Sequence, residues 1–336
     1  MKELRFGVIG WGYWGPKIAR NLESLPHATV SMVADVDALR IATLASQTEV
    51  ETTTDIEQVF RSNVDGVIIA TPIKTHFRLA KEALLYGKHV LVEKPLTANV
   101  AEAEELVALA QQQQRILMVG HTFEYSPAVN ELRKLVRSGD LGKIYCIEAE
   151  RVNLGLFRSD TNVIWDLAPH DISILHYILG KKPNQITVKA HAHLQSHIHD
   201  IAHLDLVFAD ETTAHIHVSW LHPCKIRRIT VIGDARMVVY DDTSPSEMIK
   251  IYNKGADVHA DPVVSYRHGA ITIPHIDWIE PLRLECEDFA YSIRTGEQPR
   301  ANGRVGLEVV RVLAAAQEAL EQQKLHKTIT RVSLEA

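Results

Sequence analysis

From residue 4 the chain alternates short runs that are apolar throughout with stretches of helical periodicity. Leu4 to Ile9 (LRFGVI) ends in Gly10-Trp11-Gly12-Tyr13-Trp14-Gly15, after which Pro16 to Leu22 has helical character. Thr29 to Ala34 closes on Asp35 and is followed by a helical stretch from Ala38 to Gln47. Val64 to Ala70 leads through Thr71-Pro72 into a helix from His76 to Tyr86, and His89 to Val92 ends on Glu93-Lys94-Pro95. A helix over Val100 to Gln112 and a strand over Ile116 to Val119 complete the series. Strands without polar alternation are covered on both faces, so the pattern predicts a doubly wound parallel sheet of the Rossmann type within an α/β chain.

Beyond about residue 122 the pattern changes. A helix (Pro127 to Arg137), a Gly139–Gly142 turn, a strand (Lys143 to Val152) and a helix (Trp165 to Leu179) precede consecutive strand-like segments at 185–194, 202–208, 212–221, 225–232 and 236–240. Strands that follow one another without helices predict an open, mainly antiparallel sheet. Two further helices, Pro281 to Thr295 and Val305 to Gln323, close the chain. We therefore expect a dinucleotide-binding domain over 1–122 and a substrate-binding and oligomerisation domain over 123–336, a length that suits two domains.

Composition narrows the partners. With 46% hydrophobic and 23% charged residues the chain has a globular balance, and its net charge of −6 gives no attraction to nucleic acid or anionic lipid. No h-region follows Met1 and no apolar stretch reaches the length of a membrane span, so a cytoplasmic protein is expected. Cys146, Cys224 and Cys286 are unpaired in spacing and read as free thiols.

Gly-x-Gly-x-x-Gly carries weight only in context, and here it lies between a strand and a helix. Gly10 permits the tight turn, Gly12 the approach of a pyrophosphate, and Gly15 the close packing of the helix, whose N-terminal N–H groups face the anion. Trp11, Tyr13 and Trp14 belong to the same turn. Asp35 stands where an acid accepts from the ribose 2′-OH of NAD, and no arginine immediately follows it, which favours NAD over NADP. Asp37 is at least as well placed to cap the next helix.

Lys94 ends a parallel strand at the edge where open α/β sheets bind ligands. In Trp165-Asp166-Leu167-Ala168-Pro169-His170 the acid and the histidine stand four apart and share one helix face. A base and an alkoxide stabiliser are what oxidation of a secondary alcohol requires. An unperturbed histidine titrates near working pH, which makes His170 the natural base; Asp166 would hold its orientation or shape the polarity of the site, Lys94 can stabilise the developing charge, and lysine and histidine are interchangeable as base at this level.

The Gly10–Gly15 turn, Ala70-Thr71-Pro72 with His76, Glu93-Lys94-Pro95 and Asp166-x-x-x-His170 together resemble the Gfo/Idh/MocA family of oxidoreductases over essentially the whole chain. The resemblance implies a Rossmann domain followed by an α/β domain with an open antiparallel sheet, NAD as cofactor, and pairing through the outer sheet face as a homodimer or homotetramer. It implies cofactor contacts from the glycine turn, Asp35, Thr71, Pro72, His76, Glu93 and Lys94. For the catalytic group it implies Lys94, Asp166 and His170, and for substrate contacts His121, Tyr125, Arg151, Asn153, Trp165 and His170.

The third motif departs from many members, with Asn162-Val-Ile-Trp165 in place of a glycine-rich stretch and Pro169 in place of a glycine. That tryptophan and Arg151-Val-Asn153-Leu-Gly155 resemble the branch acting at C3 of nucleotide-linked amino sugars. The alternatives are a polyol, inositol or glycoside substrate, and a non-catalytic NAD-binding redox sensor, against which the retained Lys94, Asp166 and His170 speak. His191, His193, His197, His199, His203, His215, His217 and His222 cluster in the sheet region without ligand spacing to acids or cysteines, so no metal is expected. They read as a polar outer sheet face or subunit interface.

Overall fold

The computed structural model describes residues 3–258 and 263–325. Its first part runs β1 (Leu4–Ile9), α1 (Gly15–Glu23), β2 (Ala28–Ala34), α2 (Ala38–Ala45), β3 (Glu51–Thr53), α3 (Ile56–Arg61), β4 (Gly66–Ile69), α4 (Ile73–Leu85), β5 (His89–Glu93), α5 (Val100–Gln112) and β6 (Leu117–Gly120). The strands form one parallel sheet in the order β3-β2-β1-β4-β5-β6, the doubly wound order whose strand ends open a crevice beside β1 and β4. Every residue of β4 and β6 is buried, as strands covered on both faces must be. Asp37 caps α2 by accepting from Leu39 and Arg40 N–H, which leaves Asp35 outside that role.

After a 3-10 turn at Thr122–Tyr125 come α6 (Pro127–Ser138), β7 (Ile144–Leu154), α7 (Val163–Leu179), β8 (Pro183–His191), β9 (Ile201–Phe208), β10 (Thr213–Ser219), β11 (Leu221–Gly233), β12 (Met237–Asp241), β13 (Ile249–Val258) and β14 (Val264–Thr272). These strands form a second sheet, β14-β13-β12-β11-β7-β10-β9-β8, antiparallel except where β7 runs parallel to β10. Ala202, Leu204 and Leu206 of β9 and Ala214, Ile216 and Val218 of β10 point into a core shared with α6 and α7. The alternate positions point the other way. There His203 and His217 stack at 4.3 Å, and His215 meets Asp205 at 2.5 Å. Elsewhere in the region His193 bonds the buried Asp200 at 2.8 Å. Among the described residues no three histidine, cysteine or acidic side chains are arranged to hold a metal ion.

The last two helices, α8 (Pro281–Thr295) and α9 (Gly303–Leu325), return to the first sheet. Leu282, Cys286 and Phe289 of α8 enter the core formed by Phe6, Val8, Ile18 and Leu22. Leu307 and Val310 of α9 enter the core on the opposite face, while Val309, Leu313 and Ala316 join the core of the second sheet. Between the helices, Val119 N–H donates to the Ala301 carbonyl at 2.8 Å. None of the described helices is long and apolar enough to cross a membrane.

Candidate active site

Gly10 leaves β1 with a φ of +97°, and a Cβ there would sit 2.5 Å from the Ala70 carbonyl oxygen. A Cβ on Gly15 would sit 2.1 Å from the Gly10 carbonyl oxygen, so the start of α1 can lie this close to the turn only as glycine. At Gly12 an added Cβ would meet nothing within 4 Å, and the backbone is open to an approaching group. Asp35 is buried, and its carboxylate accepts from Trp11 N–H at 2.6 Å and Asp37 N–H at 2.8 Å. Arg40, five residues on, approaches the same carboxylate at 3.5 Å. Open backbone at Gly12, a helix N-terminus at Gly15 and a carboxylate at Asp35 suit the pyrophosphate and ribose of a dinucleotide. Tyr13 and Trp14 meet edge-on at 5.3 Å on the exposed side of the turn, with Lys17 Nζ over the Tyr13 ring.

Thr71, Pro72, Glu93 and Lys94 line a cavity of about 110 Å³ together with Arg158 and Trp165. A roomier cleft of about 610 Å³, between α9 and the β8 edge, contains none of these side chains. His76 is buried, and its two ring nitrogens bridge the Pro95 carbonyl at 2.9 Å and the Thr71 carbonyl at 2.8 Å. It therefore ties the turn after β4 to the turn after β5.

Lys94 Nζ donates to the Asp166 backbone carbonyl at 2.7 Å and lies 3.9 Å from Asp166 Oδ1. Asn162 caps α7 by accepting from Ile164 and Trp165 N–H, and Pro169 inside the helix contributes no N–H to its ladder. The Asp166 carboxylate also accepts from Arg158 Nε and Trp220 Nε1, each at 3.0 Å. Neither of these two partners stood out in the sequence. Trp220 follows β10, far from Asp166 in the chain, and only the sheet brings it under α7.

His170 lies one turn further along α7, edge-on to Phe123 at 5.1 Å. Its Nδ1 is enclosed without a hydrogen-bond partner, as are both ring nitrogens of His121 at the end of β6. Burial, then Lys94, Arg151, Arg227 and His121, hold the His170 ring far toward its uncharged form. Burial and Lys94 push His121 down to about 3. Burial also pushes the Lys94 ammonium down, opposed by Asp166 and Glu93, and raises the Glu93 carboxyl to about 7. The group is thus an imidazole held neutral, in part by the Lys94 charge, and a lysine whose own charge is supported by two acids.

Of the other residues expected near a substrate, Trp165 lines the cavity and Asn153 folds against Gly155 in its own segment. Tyr125 is buried, with its hydroxyl donating to Asp288 at 2.7 Å and accepting from Ala301 N–H. Arg151 is buried and bound to Asp171. The polar ends of these two residues are therefore taken up within the protein, Tyr125 by α8 and the segment that follows it and Arg151 by α7.

Residues 4–121 match the model of an oxidoreductase family with an NAD-binding Rossmann fold, and residues 129–239 match the GFO/IDH/MocA C-terminal domain. The chain belongs to the Gfo/Idh/MocA oxidoreductase family. As a member it carries an NAD-binding Rossmann domain and is similar to sugar dehydrogenases. UDP-N-acetylglucosamine 3-dehydrogenase of Acidithiobacillus ferrooxidans is 29% identical over 94% of this chain and 96% of its own. A solved structure of that enzyme superposes with a TM-score of 0.81 at 27% identity, covering 96% of this chain and 99% of the other. Myo-inositol 2-dehydrogenase of Thermotoga maritima is 22% identical over 96% of this chain and 97% of its own.

Proposed function

We propose that the protein is an NAD-dependent dehydrogenase or ketoreductase that interconverts a secondary hydroxyl and a ketone at C3 of a nucleotide-linked amino sugar. The observation that carries the reading is the convergence of Lys94, Asp166 and an uncharged His170 at the C-terminal edge of β5. Similarity to a UDP-N-acetylglucosamine 3-dehydrogenase over nearly the full length of both chains supports the substrate class.

When bound, the nicotinamide supplies the hydride acceptor or donor. His170 takes the hydroxyl proton; its Nδ1 is enclosed, so Nε2 is the nitrogen left to receive it. Lys94 donates to the same oxygen and stabilises the charge that grows there as the proton leaves. Asp166 keeps the ammonium charged and, held by Arg158 and Trp220, fixes where it points. Trp165 and the Thr71-Pro72 turn keep bulk water from the cavity. Asp35 selects NAD through the ribose.

A second reading, inositol or another polyol as substrate, is favoured by the similarity to myo-inositol 2-dehydrogenase. Purified protein incubated with NAD and a panel of UDP-amino sugars, free sugars and inositols, followed by NADH absorbance, separates the two. Turnover of UDP-N-acetylglucosamine that Lys94→Ala and His170→Ala both abolish is the expected result. Polyol turnover alone moves the protein to the second reading, and turnover that survives both substitutions overturns the catalytic assignment.

A further inference from the structure

Asp171 directly follows His170 in α7, and Arg151 of β7 grips its carboxylate through two parallel bonds, Nε to Oδ2 and Nη2 to Oδ1, both 2.9 Å. Both side chains are almost fully buried. The same guanidinium lies over the Phe123 ring at 4.5 Å, and Phe123 meets the His170 ring at an interplanar angle of 75°. His170 is thus bordered along the helix by a residue anchored to the sheet, and across its ring by an aromatic anchored under the same guanidinium.

A buried ion pair is weak evidence for stability, because apolar side chains of similar volume fill such a site as well or better. What a bidentate pair adds is orientation, since the planar fork accepts the carboxylate in one geometry. Arg151 is closed to solvent, and its guanidinium is taken up by Asp171 and the Phe123 ring.

We propose that Arg151 and Asp171 are positioning residues for His170, clamping the turn of α7 that carries it and, through Phe123, the plane of its ring. The inference rests on the reading of His170 as the base. The charged and titratable groups that bear on His170 are Lys94 after β5, His121 after β6, Arg151 on β7 and Arg227 on β11, with Asp166 and Asp171 on its own helix. The four on other elements all disfavour the imidazolium, so Arg151 both holds the ring and helps to keep it ready to accept a proton.

The test is the double substitution Arg151→Met with Asp171→Leu, which replaces both charges by apolar side chains of similar volume and leaves no buried polar group without a partner. With UDP-N-acetylglucosamine and NAD, we expect KM values within about threefold of wild type and kcat lowered at least about tenfold, the mark of lost orientation rather than lost binding. The acid limb of kcat/KM moves to higher pH, because the lost Arg151 cation opposes protonation of His170 whereas the lost Asp171 is not among the groups that weigh most on it. Arg151→Lys restores the charge without the fork, and returns the acid limb but not kcat.

Histidine titration by NMR in the same variants reads His170 without turnover. If its titration moves and the kcat/KM profile does not follow, the clamp stands and His170 is not the base. A double variant that folds, binds NAD and keeps kcat within about twofold, with an unmoved His170 titration, overturns the clamp. Phe123→Leu, which leaves the ion pair in place, serves if the double variant does not fold: a fall in kcat at constant KM supports the clamp, and unchanged kcat overturns it.

Discussion

Trp220 donates its indole N–H to Asp166 Oδ2 at 3.0 Å, so the acid beside Lys94 is held from the sheet as well as from its own helix. Trp220→Phe keeps an aromatic ring beside Phe157, removes that donor and leaves a small cavity where the indole's second ring lay. One lost bond to a partly buried carboxylate is worth about 1–2 kcal/mol, so kcat is expected to fall about tenfold with cofactor affinity unchanged. Steady-state kinetics beside a fluorescence titration with NADH checks both halves.

Cofactor choice is expected to turn on Asp35 and Arg40. The carboxylate repels a 2′-phosphate and, at 3.5 Å, occupies the arginine that would welcome one. Asp35→Ser is expected to weaken NAD about tenfold and to raise the relative affinity for NADP, as the freed guanidinium pairs with the phosphate. An NAD-to-NADP preference unchanged in equilibrium titrations would refute this.

Gly15→Ala places a methyl against the Gly10 carbonyl oxygen, which is backbone and has nowhere to move. Overpacking of this kind costs about 1–3 kcal/mol, and here it also pushes the helix N-terminus away from the turn. Thermal unfolding should shift down, and NAD binding should drop even at temperatures where the variant remains folded.

Glu124 is buried beneath the 3-10 turn with Oε1 unpartnered, and burial pushes its carboxyl up to about 8, as it does Glu93 to about 7. At neutral pH Glu124 is mostly protonated in the folded state and Glu93 about half so, whereas both titrate near the ordinary value of 4.5 when unfolded. The folded protein therefore binds more protons between pH 4.5 and 8, and stability falls as pH rises through that window. The buried histidines act oppositely: with His121 lowered to about 3, stability falls as pH drops below 6.5. Glu124→Gln should raise the melting temperature at pH 8, by the equivalent of ~2 kcal/mol, and have little effect at pH 5. Calorimetry at the two pH values distinguishes this from a general gain in packing.

The Rossmann strands were legible because burial on both faces leaves no polar position to blur the run, as in Gly66–Ile69 and Leu117–Gly120. β3 escaped notice because three residues, Glu51–Thr53, at a sheet edge carry no periodicity. β13 and β14 escaped because β14 is exposed along almost its whole length and so has no buried face to reveal it. Within the site, Lys94, Asp166 and His170 stood out because each belongs to a short local pattern. Arg158 and Trp220 did not, since a single polar side chain carries no mark of the carboxylate it will meet. Arg151 was named only as a substrate contact that the resemblance implies, and its partner Asp171 becomes evident only when α7 is laid on β7.

The return of α8 and α9 to the first sheet sets a timetable for synthesis. All six strands of that sheet have left the ribosome once Gly120 has emerged, yet Phe6 gains Phe289 as its ring neighbour only after the rest of the protein has been made. At ordinary translation speeds that interval lasts about ten to thirty seconds. Throughout it the nascent dinucleotide-binding half lacks the helices that complete its apolar cores on both faces, and so exposes there surface that the finished protein buries.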